Sequence, residues 1–185
     1  MAGSFPATQG FDRFRLGRQC TATAGHARTL ADALDLDPDA ACLAGLLLRT
    51  GKLLMLMTEP EAIALAERRA LRPDALIEPE MALMECTHAE VTAELAQRWP
   101  FPQAMVDGLR AAADPMAARP FSKLGAALRL ASVISDAGHL GLPPVATLME
   151  TLAERVQHLH LDLAWLAAHL LPCEMLTAGV DQMLH

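Results

Sequence analysis

The sequence contains no tyrosine, only 4% aromatic residues, and few β-branched residues. Strands are usually rich in β-branched and aromatic residues, and no segment here alternates apolar and polar residues at a period of two. Alanine and leucine dominate instead, and hydrophobic residues make up 52% of the chain. This composition predicts an all-α protein with no sheet and with little disorder.

The sequence also lacks the short motifs of several common enzyme classes. It has no G-x-x-x-x-G-K-S/T loop, no G-x-G-x-x-G turn and no G-x-S-x-G elbow, so phosphate-loop, dinucleotide-binding and serine-hydrolase chemistry are not supported. None of its cysteines forms a C-x-x-C pair, and their neighbours are apolar. We interpret all four as small buried hydrophobic residues in a reducing, cytoplasmic compartment: Cys20, Cys42, Cys86 and Cys173.

The charges of the sequence argue against nucleic acid and membrane as partners. The net charge is −7, whereas nucleic-acid-binding proteins usually present a basic face. One basic cluster is interpreted as a solvated helix face: Arg13, Arg15, Arg18 and Arg28. The most apolar stretch, residues 40–57, approaches the length of a membrane span, but Arg49 and Lys52 lie in its middle. A bilayer penalises such charges, so we predict a soluble protein.

We predict one helical domain over residues 11–185, preceded by a flexible N-terminus, residues 1–10, without the features of a signal peptide. Helical periodicity, capping residues and prolines predict a single compact bundle of about eight helices. Capping boxes are expected at Thr58–Glu61 and Thr87–Glu90. The stretch Pro38–Met57 is apolar nearly all round and is expected at the centre of the fold. The predicted segments are Phe11 or Phe14 to Leu34, Pro38–Met57, Thr58 to before Pro73, a short piece after Pro79, Thr87–Trp99, Pro102–Ala113, Ser122–Ala137, Pro144–Leu159, Asp162–Leu170 and Cys173–Leu184.

Two spaced segments of the sequence are similar to a known family. Leu43–Leu53 (LAGLLLRTGKL) resembles the signature helix of HD-type proteins, roughly G-L-L-H-D-I-G-K-L. Thr87–Val91 (THAEV), followed by Arg98-Trp99-Pro100, resembles a segment of the HDOD family, the HD-related output domains. The next helix also fits the family, at Val106, Leu109 and Arg110. The resemblance covers about residues 16–184 and implies an α-helical bundle of HD-domain type used in bacterial signalling.

The metal ligands of HD enzymes are missing from the matching positions. These enzymes hydrolyse phosphoesters with metals held by histidines and aspartates. Leu48 and Arg49 stand where the signature has adjacent histidine and aspartate; leucine cannot ligate a metal and arginine repels one. Gln19 stands near an earlier histidine position, and residues 111–113 are alanines where a later histidine falls. Only His88 is retained, and one imidazole cannot hold a catalytic metal. We therefore predict no metal, no cofactor and no catalytic residue.

Two hypotheses stay open for Arg49 and Lys52, which lie within one turn at the former metal position. Together they could bind a phosphate group. Alternatively, each pairs with a carboxylate, because buried charges normally need partners. The other histidines suggest no metal site: we interpret His158, His160 and His169 as surface residues and His26 as a residue at the edge of an apolar stripe.

We interpret the chain as a non-catalytic signalling or regulatory module of HDOD type that acts through contact with a protein partner. One alternative is a binding module for a small anionic ligand, such as a nucleotide, at the vestigial site formed by Gln19, Leu48, Arg49, Lys52 and His88. The other alternative is a residual metal-dependent phosphohydrolase. Because HDOD proteins usually have a leading helical subdomain that this sequence lacks, we also expect an uncovered apolar face and a homodimer. The expected contributors are the first helix, Phe11–Leu34, and the last, Met175–Leu184.

Overall fold

The computed structural model describes residues 12–183, with the backbone alone for residues 181–183. The predicted flexible segment, residues 1–10, lies outside the described residues, as do Phe11 and Leu184. Within residues 12–183 the chain forms α-helices and no strand, which confirms the predicted all-α fold. Eleven helices are described: α1 (Arg13–Leu34), α2 (Pro38–Leu47), α3 (Gly51–Thr58), α4 (Pro60–Arg69), α5 (Ile77–Met84), α6 (His88–Gln97), α7 (Gln103–Ala111), α8 (Lys123–His139), α9 (Pro144–His158), α10 (Leu163–His169) and α11 (Cys173–Met183).

Side-chain caps fix where several helices begin. The predicted capping box of α6 is present, since the Thr87 hydroxyl accepts the Glu90 N–H and the Glu90 carboxylate accepts the Thr87 N–H. The other predicted box is absent. Thr58 donates its hydroxyl back to the Leu54 carbonyl within α3, and α4 begins at Pro60 without a side-chain cap. A hydroxyl that is satisfied inside the preceding helix is not available to cap the next one.

The apolar stretch predicted as one helix, Pro38–Met57, forms two helices. α2 ends at Leu47 and α3 begins at Gly51. Between them the main-chain N–H and the hydroxyl of Thr50 both donate to the Leu47 carbonyl, each at 2.8 Å. Bonds to a carbonyl only three residues back interrupt the α-helical pattern. Arg49 therefore lies at a corner between two helices.

The centre of the fold is formed by α1 and α8, and not by the stretch 38–57 as expected. Gln19 contacts Asp136, and Lys123 contacts Leu34, so these two helices run antiparallel. Residues along both helices are fully buried, whereas α2 and α3 leave large apolar side chains 38–59% exposed: Leu43, Leu46, Leu54 and Met57. A central position was predicted because α2 and α3 carry apolar side chains on several faces, but one of those faces is exposed to solvent.

Two further predictions about buried side chains need correction. His26 is not at an edge; it is 1% exposed, and its Nε2 lies 3.4 Å from Cys173 Sγ in α11. Burial lowers the pKa of His26 to about 4, so the ring is neutral near pH 7 and links α1 to α11. Of the four cysteines only Cys20 is buried, and the other three are partly exposed.

The crossing of α3 and α6 requires glycine at position 51. A Cβ there would lie 2.3 Å from the His88 carbonyl oxygen and 2.9 Å from Thr92 Oγ1. We expect Gly51→Ala to lower the free energy of unfolding by about 1–3 kcal/mol, because the helices must separate. Denaturant unfolding measures this. Gly17→Ala is the matched control, since its Cβ would make only an ordinary 3.6 Å contact with Val180. Equal stability of the two variants would contradict the prediction.

Candidate functional site

Three of the five predicted site residues, Leu48, Arg49 and His88, line one small cavity. The corner between α2 and α3 supplies the first two, and the first turn of α6 supplies His88. Other polar side chains in its wall come from α8 and from the segment before α5: Arg129, Ser132, Asp136 and Asp74. The cavity volume is about 20 Å³, which accommodates about one water molecule.

Arg49 is the most buried charged group of this cavity, with its side chain 2% exposed. Its Nη2 donates to Asp136 Oδ1 at 2.7 Å and to Ser132 Oγ at 2.6 Å. Gln19 Nε2 donates to the same Asp136 oxygen at 2.9 Å. Burial by itself lowers the pKa of Arg49, but the Asp136 carboxylate outweighs burial and leaves that pKa raised. Arg49 and Asp136 therefore form a charged, hydrogen-bonded pair, which Gln19 and Ser132 complete.

A second ion pair closes the other side of the cavity. Arg129 Nε lies 2.7 Å from Asp74 Oδ1, although its N–H is not well directed at that oxygen. Burial lowers the pKa of Arg129 and raises the pKa of Asp74. Arginine nonetheless keeps its proton in proteins. The two arginines are thus balanced by two carboxylates, and the cavity has no excess positive charge that would attract an anion.

Lys52 does not line the cavity, although it follows Arg49 by one turn. Its Nζ lies 2.6 Å from Glu67 Oε1 of α4, and the two side chains are 1% and 14% exposed. Burial raises the pKa of Glu67, but the charge and hydrogen bond of Lys52, together with the charges of Arg15 and Arg49, hold that pKa below its usual value. Arg49 and Lys52 thus contact carboxylates on different helices, as the carboxylate-pairing hypothesis expected.

His88 is held by Glu80, a fully buried carboxylate of α5. Glu80 Oε2 lies 2.8 Å from His88 Nδ1 and also accepts the main-chain N–H of His88 at 3.0 Å. Burial lowers the pKa of His88, despite the opposing effect of Glu80, and the charges of Lys52 and Arg49 lower it further. We therefore assign a neutral imidazole that donates from Nδ1 to ionised Glu80, which leaves Nε2 as an acceptor.

The donor set does not fit the metal that the HD resemblance implies. A carboxylate that accepts the Nδ1 proton is typical of a metal-binding histidine, so His88 keeps that feature. Asp136 and Asp74, however, are both engaged by arginines. Across residues 12–183 no group of three or more His, Cys, Asp or Glu side chains could hold a metal ion. His88 thus lacks the partner ligands that a catalytic metal requires.

Sequence reasoning missed most of the partners of Arg49 and His88, although one signal was present. Arg129, Ser132 and Asp136 recur at spacings of three and four along the otherwise apolar helix α8. Residues at these spacings share one helix face, so the stripe could have indicated a polar contact inside the core. Asp74 and Glu80 lie in a turn and a short helix, where no periodicity marks them.

A larger groove of about 950 Å³ lies beside α7, the start of α2 and residues 113–124. Its walls are mainly apolar, and its three cations are already engaged. Arg110 contacts Glu94, Arg119 bonds to main-chain carbonyls, and Lys123 bonds to the Leu34 carbonyl. Four carboxylates outnumber these cations: Asp37, Glu90, Asp107 and Asp114. The groove is therefore poorly suited to an anionic ligand.

Comparison with protein families gives a match to the HDOD domain over residues 1–115. A comparison with curated proteins gives no significant match. The family match includes the corner at Arg49 and the whole of α6, and it ends before α8, which supplies Asp136.

Solved structures share the fold. A candidate phosphohydrolase from Shewanella amazonensis SB2B is 26% identical, with a TM-score of 0.76 over 97% of this chain and 67% of that one. The response regulator MmoQ from Methylococcus capsulatus strain Bath is 27% identical, with a TM-score of 0.59 over 87% and 63%. An HDOD domain protein of unknown function from Geobacter sulfurreducens, 19% identical, has a TM-score of 0.59 over 94% and 60%. The chain therefore spans 60–67% of the length of these three proteins.

The ion pair of Arg49 gives a testable difference in stability. We expect Arg49→Ala to lower the free energy of unfolding by roughly 3–5 kcal/mol, because it leaves Asp136 without its cation in a largely buried position. Arg28→Ala is the matched control, since the side chains of its pair with Asp39 are 55% and 82% exposed, and such surface pairs contribute at most about 1 kcal/mol. Chemical denaturation of both variants tests this. A loss for Arg49→Ala no greater than for the control would refute the assignment.

Proposed function

Because the chain belongs to the HDOD domain family, we propose that it is a non-catalytic regulatory module of bacterial signal transduction. In this proposal it acts in the cytoplasm through contact with a protein partner. The observation that carries it is the buried pair of Arg49 with Asp136. Arg49 stands where the family signature has a metal-binding aspartate, and it engages a carboxylate that a metal would otherwise need. The similarity to a response regulator supports a signalling role.

The identities of the side chains argue against hydrolysis at this site. Metal-dependent phosphoester hydrolysis needs several ligands that share one metal ion and activate a water molecule. Leu48 offers no ligand, Arg49 brings a positive charge, and His88 is engaged through Nδ1 by Glu80. The phosphohydrolase-like neighbour shares the fold, but the described side chains around His88 do not supply the ligands that such a reaction needs.

The anionic-ligand alternative has weaker support. Pockets for small molecules usually measure about 300–1,000 Å³, whereas the cavity beside Arg49 measures about 20 Å³. Both of its arginines are paired with carboxylates, and Lys52 is held by Glu67. A nucleotide would have to displace these carboxylates and open the core. Contact with a protein makes no such demand.

We expect the purified protein to contain far less than one Fe, Mn or Zn per chain and to hydrolyse neither cyclic dinucleotides nor phosphomonoesters above background. The reason is the donor set around His88, which provides one imidazole and carboxylates already paired with arginines. Elemental analysis measures the metal, and assays with added Mn²⁺, Fe²⁺ or Mg²⁺ measure turnover. About one metal per chain, together with turnover that disappears in His88→Ala, would overturn the proposal.

Partner binding gives the complementary test. Cross-linking in the native host followed by mass spectrometry should identify a signalling protein that also binds the purified chain directly. This binding should persist in folded His88→Ala, because the proposal assigns no catalytic role to that residue. Nucleotide binding detected by calorimetry, without direct binding of any protein, would favour the ligand alternative.

A further inference from the structure

Arginines gather in two short segments of an otherwise acidic chain. Residues 13–18 and 68–72 hold six of the 15 Lys and Arg side chains and contain no Asp or Glu. The rest of the chain has nine basic side chains against all 22 acidic ones, a net charge of −13. The net charge of −7 therefore combines two positive segments with a strongly negative remainder.

The first arginine segment begins α1 and lies beside the end of α8. Gln19, one turn after Arg15, contacts Asp136, one turn before His139. Because α1 and α8 run antiparallel, the start of α1 adjoins His139. Burial lowers the pKa of His139, and the charges of Arg15 and Arg18 lower it further. The start of α1 thus gives the end of α8 a positive environment.

The second arginine segment runs beside the same helix. Glu67, near the end of α4, contacts Lys52 one turn after the corner that binds α8. Asp74, at the other end of the segment, contacts Arg129 of α8. Residues 68–72 lie between these two contacts, so they cannot extend far from α8.

The two segments form one surface. Burial raises the pKa of Glu67, whereas the charge and hydrogen bond of Lys52 and then the charge of Arg15 lower it; Arg15 of α1 is therefore close to the end of α4. Two large apolar side chains, Phe14 and Leu71, lie among the arginines and are 52% and 80% exposed. We name the six charged residues the arginine surface: Arg13, Arg15, Arg18, Arg68, Arg69 and Arg72.

The fold makes little use of these charges. Among residues 12–183, no ion pair is formed by Arg13, Arg15, Arg68, Arg69 or Arg72, and all of these except Arg15 are exposed. The dipole of α4 favours Arg68 and Arg69 in its last turn, but the dipole of α1 disfavours Arg13 and Arg15 at its start. The first turn of α1 has no acidic residue to compensate. Like charges are thus held together without a partner inside the molecule.

We propose that the arginine surface binds an acidic segment, rich in Asp and Glu, of the partner protein. Guanidinium groups bind carboxylates through paired hydrogen bonds, and Phe14 and Leu71 offer a contact for an apolar side chain within that segment. The inference rests on the proposed function, whose partner it describes by its chemistry. It does not involve the cavity at Arg49, where the charges are balanced.

The negative charge of the other surfaces favours a short segment over a larger anion. Screening limits repulsion to about 8 Å at physiological salt, so acidic residues elsewhere repel only what extends to them. A nucleic acid or an anionic bilayer would extend beyond the arginine surface and meet that negative charge. A short acidic segment would contact the arginines alone.

The probe is a short fluorescein-labelled peptide of Asp and Glu with a leucine at each end, and fluorescence anisotropy measures its binding to the full chain. We expect binding that weakens as salt rises. The same peptide with Asn and Gln in place of the acids should not bind. Arg13→Glu with Arg72→Glu reverses one charge in each segment and should weaken binding roughly tenfold. The matched control is Arg28→Glu with Arg98→Glu, which changes the net charge equally at exposed positions outside the arginine surface and should bind normally.

Unfolding measurements separate binding from a structural role. The midpoint of denaturation should stay unchanged or rise in the Arg13→Glu, Arg72→Glu double variant, because the reversals remove repulsion. A large loss of stability would assign these arginines to the fold and overturn the inference. Peptide binding that the folded double variant retains, or that the control loses equally, would also overturn it. Tighter binding of a thymidine oligonucleotide or of phosphatidylglycerol vesicles than of the peptide would replace the protein segment with that class of partner.

The partner identified by cross-linking is then tested with the same variants, and it should bind the double variant more weakly than the control. Equal binding to the wild type and to the double variant would contradict this inference and leave the proposed function standing. The absence of any protein that binds the wild type would be a failure of the proposed function itself.

Discussion

A buried guanidinium needs a carboxylate, and this requirement organises the centre of the protein. Arg49 is 2% exposed, and leaving such a charge unpaired in the core would cost several kcal/mol. Its partner Asp136 lies on α8, and Gln19 on α1 contacts the same oxygen. One hydrogen-bonded group thus joins the two central helices to the corner between α2 and α3. The break at that corner places Arg49 where this contact is possible.

The same requirement explains why the site resembles a metal centre in position but not in chemistry. Lys52 with Glu67 and Arg129 with Asp74 repeat the pairing of a buried cation with a carboxylate. A metal ion would unite carboxylates and imidazoles around one point, whereas these side chains form separate pairs between helices. The balance of charge leaves neither a cluster of free carboxylates for a cation nor an excess of cations for a phosphate. The positive charge at position 49 therefore contributes to structure, and the proposed function depends on outer surfaces.

Much of this arrangement could be predicted from local sequence, because helix limits depend on nearby residues. The capping box of α6 was correctly placed for that reason. The division of residues 38–57 into two helices was not predicted. It depends on bonds from Thr50 to the Leu47 carbonyl, and a single threonine in an apolar stretch is not a recognisable sign of a helix end. The HD resemblance located Leu48, Arg49 and His88 but not their partners. Glu80 and Asp74 reach the site through tertiary packing, and no regular spacing of residues in the sequence indicates that contact. Asp136 could have been found from the polar stripe of α8.

The central claim is that Arg49 and Asp136 depend on each other inside the core. A double-mutant cycle tests it most directly, with unfolding free energies measured for Arg49→Leu, Asp136→Leu and the double variant. Contacting charged residues show coupling of about 0.5–3 kcal/mol, and an apolar replacement for a buried ion pair is often tolerated. The double variant should therefore be at least as stable as the less stable single variant, with coupling in the upper part of that range. Additive losses, with coupling near zero, would contradict the claim.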